Sequence, residues 1–284
     1  MTNSANSVFH ITTSFNSLEG ILMNKFYPSY CKELIYYENK KDYIIVPMIA
    51  FCDVPLSMIK NLKYGEYGIG LSKEWAKEKG LNPVLYIERN SILAKNFLKS
   101  MDGMFEPYKS LCILDEKIKA LTQLFVKSNS VVGRKIIQEK ISEIQKQKDN
   151  VADSLKFTLY SSYFTKHYQD DLNRNGEEIK SYTFYNEREW RFVPDFETAM
   201  CKLKITDDEY KIWRGDTITP KPLITEINLP FFGGDINYII VNGKEEIKPM
   251  IKTIEKCIEL GKLEEDKEIL FTKIITYKQI VNDY

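Results

Sequence analysis

Two hydrophobic rhythms divide the chain. Near both ends the apolar residues alternate or run together, as strands require; through the middle they recur every three to four positions, as on a helix. Residues 8–12 (Val-Phe-His-Ile-Thr) predict a short strand. Asn16 caps the helix predicted next, with Glu19 three residues on, Leu18, Ile21 and Leu22 on one face, and Asn24 to Pro28 at its end. The apolar run 43–51 predicts a buried strand, closed by Asp53-Val54-Pro55. A short helix over 56–61, a glycine-studded loop over 64–71, a helix capped by Ser72 and followed by Gly80, and a strand over 83–87 come next.

From Ser91 to Leu172 strand signal is scarce, and Ile136, Ile137, Ile141 and Ile144 recur at helical spacing among Lys, Glu and Gln. The lysine-rich stretch 135–148 is interleaved with glutamates, which fits a solvated helix face better than a nucleic-acid stripe. Strands are predicted again over 182–193, 224–229 and 238–241, then an amphipathic helix over 245–260 and a last strand over 269–275. Strands at both ends of a helical middle predict an α+β fold: 1–90 and 181–284 as halves of one core, and 91–180 as a helical insertion.

Composition narrows the function classes. With 284 residues, 43% hydrophobic and 28% charged, the chain reads as an ordinary globular protein. Forty basic and forty acidic residues cancel, which argues against a strong overall attraction to nucleic acid but leaves a local groove open. Five cysteines without CxxC spacing, and only two histidines, offer no metal template and fit a reducing compartment. No signal peptide and no apolar run near the roughly 20 residues of a membrane span are seen, so a cytoplasmic protein without a membrane segment is expected.

The richest candidate chemistry is Asn186-Glu187-Arg188-Glu189-Trp190-Arg191. On one strand Glu187, Glu189 and Arg191 share a face, with two carboxylates about 7 Å apart beside a guanidinium. Such a pair can orient a sugar hydroxyl and stabilise a cation; it equally fits an edge strand with cross-strand ion pairs. His10 and Thr12 share a strand face and suit a ribose or carboxamide, or else a packed core histidine. Tyr64 and Tyr67, among Gly65, Gly68 and Gly70, suit the stacking of a planar ring, or else a turn with core tyrosines. Cys52 with His10 or His167, the latter read as a helix residue, is a weaker nucleophile pairing.

The series Phe9-His10-x-Thr12, Phe26-Tyr27-Pro28, Phe51-Cys52-Asp53-x-Pro55-Leu56-Ser57, Tyr64-Gly65-x-Tyr67-Gly68-Ile69-Gly70-Leu71-Ser72-Lys73-x-Trp75, Asn82-Pro83-Val84 and Asn186-Glu187-x-Glu189-Trp190-Arg191 resembles the AbiGi family. That resemblance implies the antitoxin of a bacterial abortive phage-infection system, whose partner would be a cognate toxin or a phage protein. The opening His-x-Thr strand and the late Glu-x-Glu are more distantly similar to DarT-type and arginine-directed ADP-ribosyltransferases.

The distant similarity implies an ADP-ribosyltransferase-like split β-sheet core and NAD as substrate. Glu189 would be catalytic and Glu187 would orient or deprotonate the acceptor. His10 and Thr12 would hold the nicotinamide ribose or amide, and Tyr64 or Tyr67 would stack on nicotinamide. A nucleic acid or protein would accept ADP-ribose, or water would hydrolyse NAD. The early arginine of such enzymes has no counterpart before Arg89; either Lys63 or Lys73 would take its place, or the pocket would no longer bind NAD productively. On this reading Glu189→Gln, nearly isosteric, removes activity and leaves the fold intact. The alternatives are a non-catalytic antitoxin and a structural member of a phage-sensing complex.

Overall fold

The computed structural model describes residues 5–37, 40–103, 105–174, 177–195 and 223–283. The chain forms two compact units. One comprises Met1–Ile35, Lys41–Ile87 and Lys166–Tyr284; the other comprises Tyr36–Lys40 and Glu88–Thr165.

The first unit is built on a mixed sheet. Its strands are β1 (Ser7–Thr12), β2 (Ser29–Tyr37), β3 (Lys40–Cys52), β4 (Tyr67–Ser72), β5 (Asn82–Pro83), β10 (Glu189–Phe192), β11 (Ile236–Val241) and β12 (Ile274–Thr276). They lie in the order β12-β11-β4-β1-β3-β10-β5, with β2 also paired to β3. Only β11 and β12 run parallel among the pairs of described register. Two short ribbons accompany it, β6 (Leu85–Ile87) with β7 (Thr165–His167), and β8 (Gln169–Arg174) with β9 (Glu177–Thr183).

Both faces of the sheet are covered, which is why β11 reads as the near-continuous apolar run Ile-Asn-Tyr-Ile-Ile-Val. On one face Val8, Phe51, Ile69, Leu71, Ile239 and Val241 pack against α1 (Phe15–Asn24), α2 (Lys73–Glu78), α6 (Ile247–Glu259) and α7 (Lys267–Thr272). Phe26, Phe51, Trp75 and Phe231 meet there as an aromatic centre with ring centroids 5.3–6.4 Å apart. On the other face Phe9, Cys52 and Ile240 pack with Ile59 and Leu62 and with Ile280 of α8 (Tyr277–Asp283).

Gly68 and Gly70 serve this second face. A Cβ on Gly70 would lie 2.7 Å from the Phe9 ring, and one on Gly68 would lie 2.8 Å from the Ile11 side chain. The glycines therefore make room for β1 and its apolar side chains rather than for a planar ligand.

Several predicted elements change identity. The helix near residue 16 is capped by Ser14, whose Oγ accepts from the Ser17 N–H at 3.2 Å, not by Asn16. Residues 224–229 form no strand; Leu223 and Leu229 make isolated bridges to Ser29 and Phe26. The β-branched stretch 269–275 is mostly α7, because the Asp266 carboxylate caps the N–H groups of Glu268 and Ile269. Strand structure returns at Thr165, and His167 lies on β7 instead of a helix. The polar alternation of β8, Gln-Asp-Asp-Leu-Asn-Arg, carries no hydrophobic signal.

The second unit is helical: α3 (Ile92–Asp102), α4 (Phe105–Lys127) and α5 (Val131–Tyr163). Its caps are sequence-encoded, with Ser91 Oγ accepting from Ala94 N–H and Ser130 Oγ from Gly133 N–H, both at 3.1 Å. Among the described residues, no helix is long and apolar enough to cross a membrane.

Candidate functional site

Residues 182–193 do not form one strand. After β9 the chain makes a 3₁₀ turn (Phe184–Glu187), passes through Arg188 in the left-handed region at φ 45°, and only then enters β10. The Arg188 carbonyl accepts from the Asp53 N–H at 3.0 Å, which ties this strained residue to the end of β3. The expected convergence of Glu187 and Glu189 nevertheless occurs, through the turn rather than through strand alternation.

Both carboxylates converge on Lys166 of β7. Its ammonium donates to Glu187 Oε2 at 2.9 Å and to Glu189 Oε2. Glu189 Oε1 accepts from Arg191 Nε at 2.6 Å, and the Arg191 guanidinium continues to Glu33 Oε2 at 2.9 Å. Glu187 and Arg191 are 0% exposed and Glu189 3%, so the cluster is built into the protein interior. In these contacts three carboxylates face two cations.

The pKa values follow from these contacts. Burial alone would raise the Glu189 carboxyl, but Arg191 and then Lys166 outweigh it and hold the group down at about 2. Burial opposes the Lys166 charge too, yet Glu189, Tyr64 and Glu187 keep the ammonium well above its usual range. Burial pushes the Tyr64 phenol well up, with Lys166 opposing and the carboxylates adding. Glu189 thus stays ionised beside a protonated phenol. It is too weak a base to take a proton at neutral pH, but it can face developing positive charge. The Tyr86 hydroxyl fixes the strand start by accepting from the Glu189 N–H at 2.7 Å.

A cleft of 1140 Å³ brings most of the sequence-predicted residues together. His10, Thr12, Tyr64 and Glu189 line it, along with Glu33, Ala50, Cys52 and Lys166. Cross-strand register places Glu189 opposite Cys52 and Trp190 opposite Phe51, so His10, packed on Phe51 and Phe26, belongs to the other sheet face. Both reach one cleft because the β1–β3 ladder is a single pair, Phe9 with Cys52, beyond which the strands part. His10 Nδ1 donates to the Ala50 carbonyl at 2.9 Å across that opening.

Glu187, Lys63, Tyr67 and Lys73 are not among the residues that line the cleft. The Tyr67 hydroxyl donates to Glu246 Oε1 at 2.8 Å and its ring packs on Phe15. Lys73 pairs with Asp53 at 2.7 Å, fastening α2 to the end of β3. Lys166 is the residue that sequence reasoning missed, because its partners lie 21 and 23 positions away.

Comparison with known proteins agrees with the motifs. Residues 24–242 match the family described as "Putative abortive phage resistance protein AbiGi, antitoxin", and this chain belongs to that family. A relative from Lactococcus lactis subsp. cremoris, named "Abortive phage resistance protein AbiGi", is 26% identical over 252 residues, covering 84% of this chain and 89% of the relative. No solved structure matches.

Proposed function

We propose that this chain serves in anti-phage defence as an antitoxin that restrains a cognate toxin by direct contact. Family membership and the Lactococcus relative, both described in terms of abortive phage resistance, support the anti-phage role. The observation that carries the binding role is the apolar exposure of the helical unit. Ile92, Val126, Val131, Val132 and Phe157 are 69–84% exposed, and large side chains left to water in this way suit contact with another protein. The test is co-expression with the product of the reading frame adjoining its gene. Growth arrest by that product, relieved by this chain with the two proteins co-purifying, is the expected result; arrest that this chain leaves unchanged removes the reading.

The cleft supports a second reading, an ADP-ribosyltransferase-like NAD site. Its 1140 Å³ is ample for a dinucleotide. The single β1–β3 pair beside it is in keeping with a split sheet, and ionised Glu189 suits the cationic charge that forms when the nicotinamide bond breaks. His10 and Thr12 would hold the ribose or amide and Tyr64 would stack on nicotinamide, with ADP-ribose passing to a nucleic acid, a protein or water. Against it stands the engagement of both Glu189 oxygens by Lys166 and Arg191, which a ribose hydroxyl would have to share. Nicotinamide release from NAD by the wild-type protein is the test, and absence of both turnover and NAD binding removes this reading.

A further inference from the structure

The turn between α4 and α5 gathers exposed aliphatic side chains and cations. Leu124, Val126, Val131, Val132 and Ile136 are 56, 71, 84, 69 and 60% exposed. Across residues 117–138 every charge is positive: Lys117, Lys119, Lys127, Arg134 and Lys135. Lys119 pairs with Glu116, whereas Lys127, Arg134 and Lys135 meet no carboxylate among the described residues. Arg134 and Lys135 also stand at the start of α5, the helix end that disfavours cations.

The turn is nonetheless held in one shape. Arg134 Nε donates to the Ser128 carbonyl at 2.7 Å, its guanidinium lies 5.6 Å from the Phe125 ring centre, and Ser130 caps the helix behind it. A preformed surface loses less freedom on association than a floppy one.

We infer that this turn is the docking surface for a protein partner that presents an apolar groove edged by carboxylates. The inference rests on the antitoxin reading, on which the partner is the toxin. The aliphatic side chains fill the groove, and Lys127, Arg134 and Lys135 face the acidic rim, which fixes orientation and speeds encounter. Exposed aliphatic side chains with cations among them match such a groove by charge and by polarity together. A nucleic-acid backbone would leave the five aliphatic side chains unsatisfied.

The experiment uses the full chain and the purified product of the adjoining reading frame, with calorimetric titration at about 0.05 M and about 0.5 M salt. V131S/V132S is expected to weaken binding about tenfold or more at both salt concentrations. K127E/R134E/K135E is expected to weaken it by a similar factor at low salt, with the loss shrinking at high salt. Unchanged thermal midpoints would show that both variants fold. Wild-type affinity in both variants overturns the inference and leaves the antitoxin reading standing. No binding by the wild-type chain removes the antitoxin reading and the inference with it. Binding to phosphatidylserine vesicles, or self-association in sedimentation, that V131S/V132S abolishes would reassign the turn to a membrane or to a second copy and overturn the inference.

Discussion

The Lys166 cluster and the α4–α5 turn invert the usual distribution of charge and apolar surface in opposite senses. The cluster takes Glu187, Glu189 and Arg191 inside and pairs them with one another, with Lys166 and with Glu33. The turn leaves five aliphatic side chains outside, with three cations that meet no carboxylate among the described residues. Buried charge is tolerable only when paired, so the cluster is bound into the stability of its unit. Exposed apolar surface is tolerable without a partner, so the exposed valines of the turn can be changed with little harm to the fold. The cluster is thus the more tightly tied to the stability of its unit, and the helix turn is the freer to vary.

The sharpest way to break this contrast is Glu189→Gln. A neutral amide set between Lys166 and Arg191 leaves Lys166 with Glu187 and Arg191 with Glu33 but loses the carboxylate that joins them, and the expected loss is about 1.5–3 kcal/mol, read as a drop in thermal midpoint. The expectation that this near-isosteric swap spares the fold is therefore revised, and activity assays on the variant need a folding control.

Acid should unmask the same coupling. The Glu189 pKa is depressed from 4.5 to about 2, so its contribution is present above pH 4.5 and drains as pH falls towards 2. The difference in melting point between wild type and Glu189→Gln is expected to shrink over that window; a constant difference would mean the ion pairs do not supply it. Ser130→Ala, which removes the cap on α5, is expected to lower the stability of the helical unit by about 1 kcal/mol in denaturant melts. At the small end, V131S/V132S is expected to shift stability by less than about 0.5 kcal/mol.

Much of the framework was legible in the sequence because it is written locally. The alternation in β1, the apolar run of β3, the Ser72 cap and the amphipathic face of α6 each need only a short window. Where local signals competed, the cap won over propensity. Asp266 turned a β-branched stretch into α7, and Arg188 in the left-handed region broke an apparent strand. The candidate site was half legible. Glu187 and Glu189 announced themselves, but Lys166 had nothing to mark it in Phe-Thr-Lys-His-Tyr, since its meaning comes from carboxylates brought to it by tertiary packing. The glycines after Tyr64 misled for a related reason: a sequence shows that a Cβ is missing, not whether a ligand or the chain's own β1 takes the space.

Arg191, wholly enclosed between Glu189 and Glu33, also constrains how this protein can change over generations. Losing Lys166 or Arg191 leaves buried carboxylates short of a cation, so a lineage can leave this arrangement only by changing several codons together or by closing the space with apolar residues. Among members of the family, Lys166 and Arg191 should therefore be inherited together with the Glu189 that joins them, drifting more slowly than the turn at Val131 and Val132, whose substitutions are answerable to a partner and not to the fold.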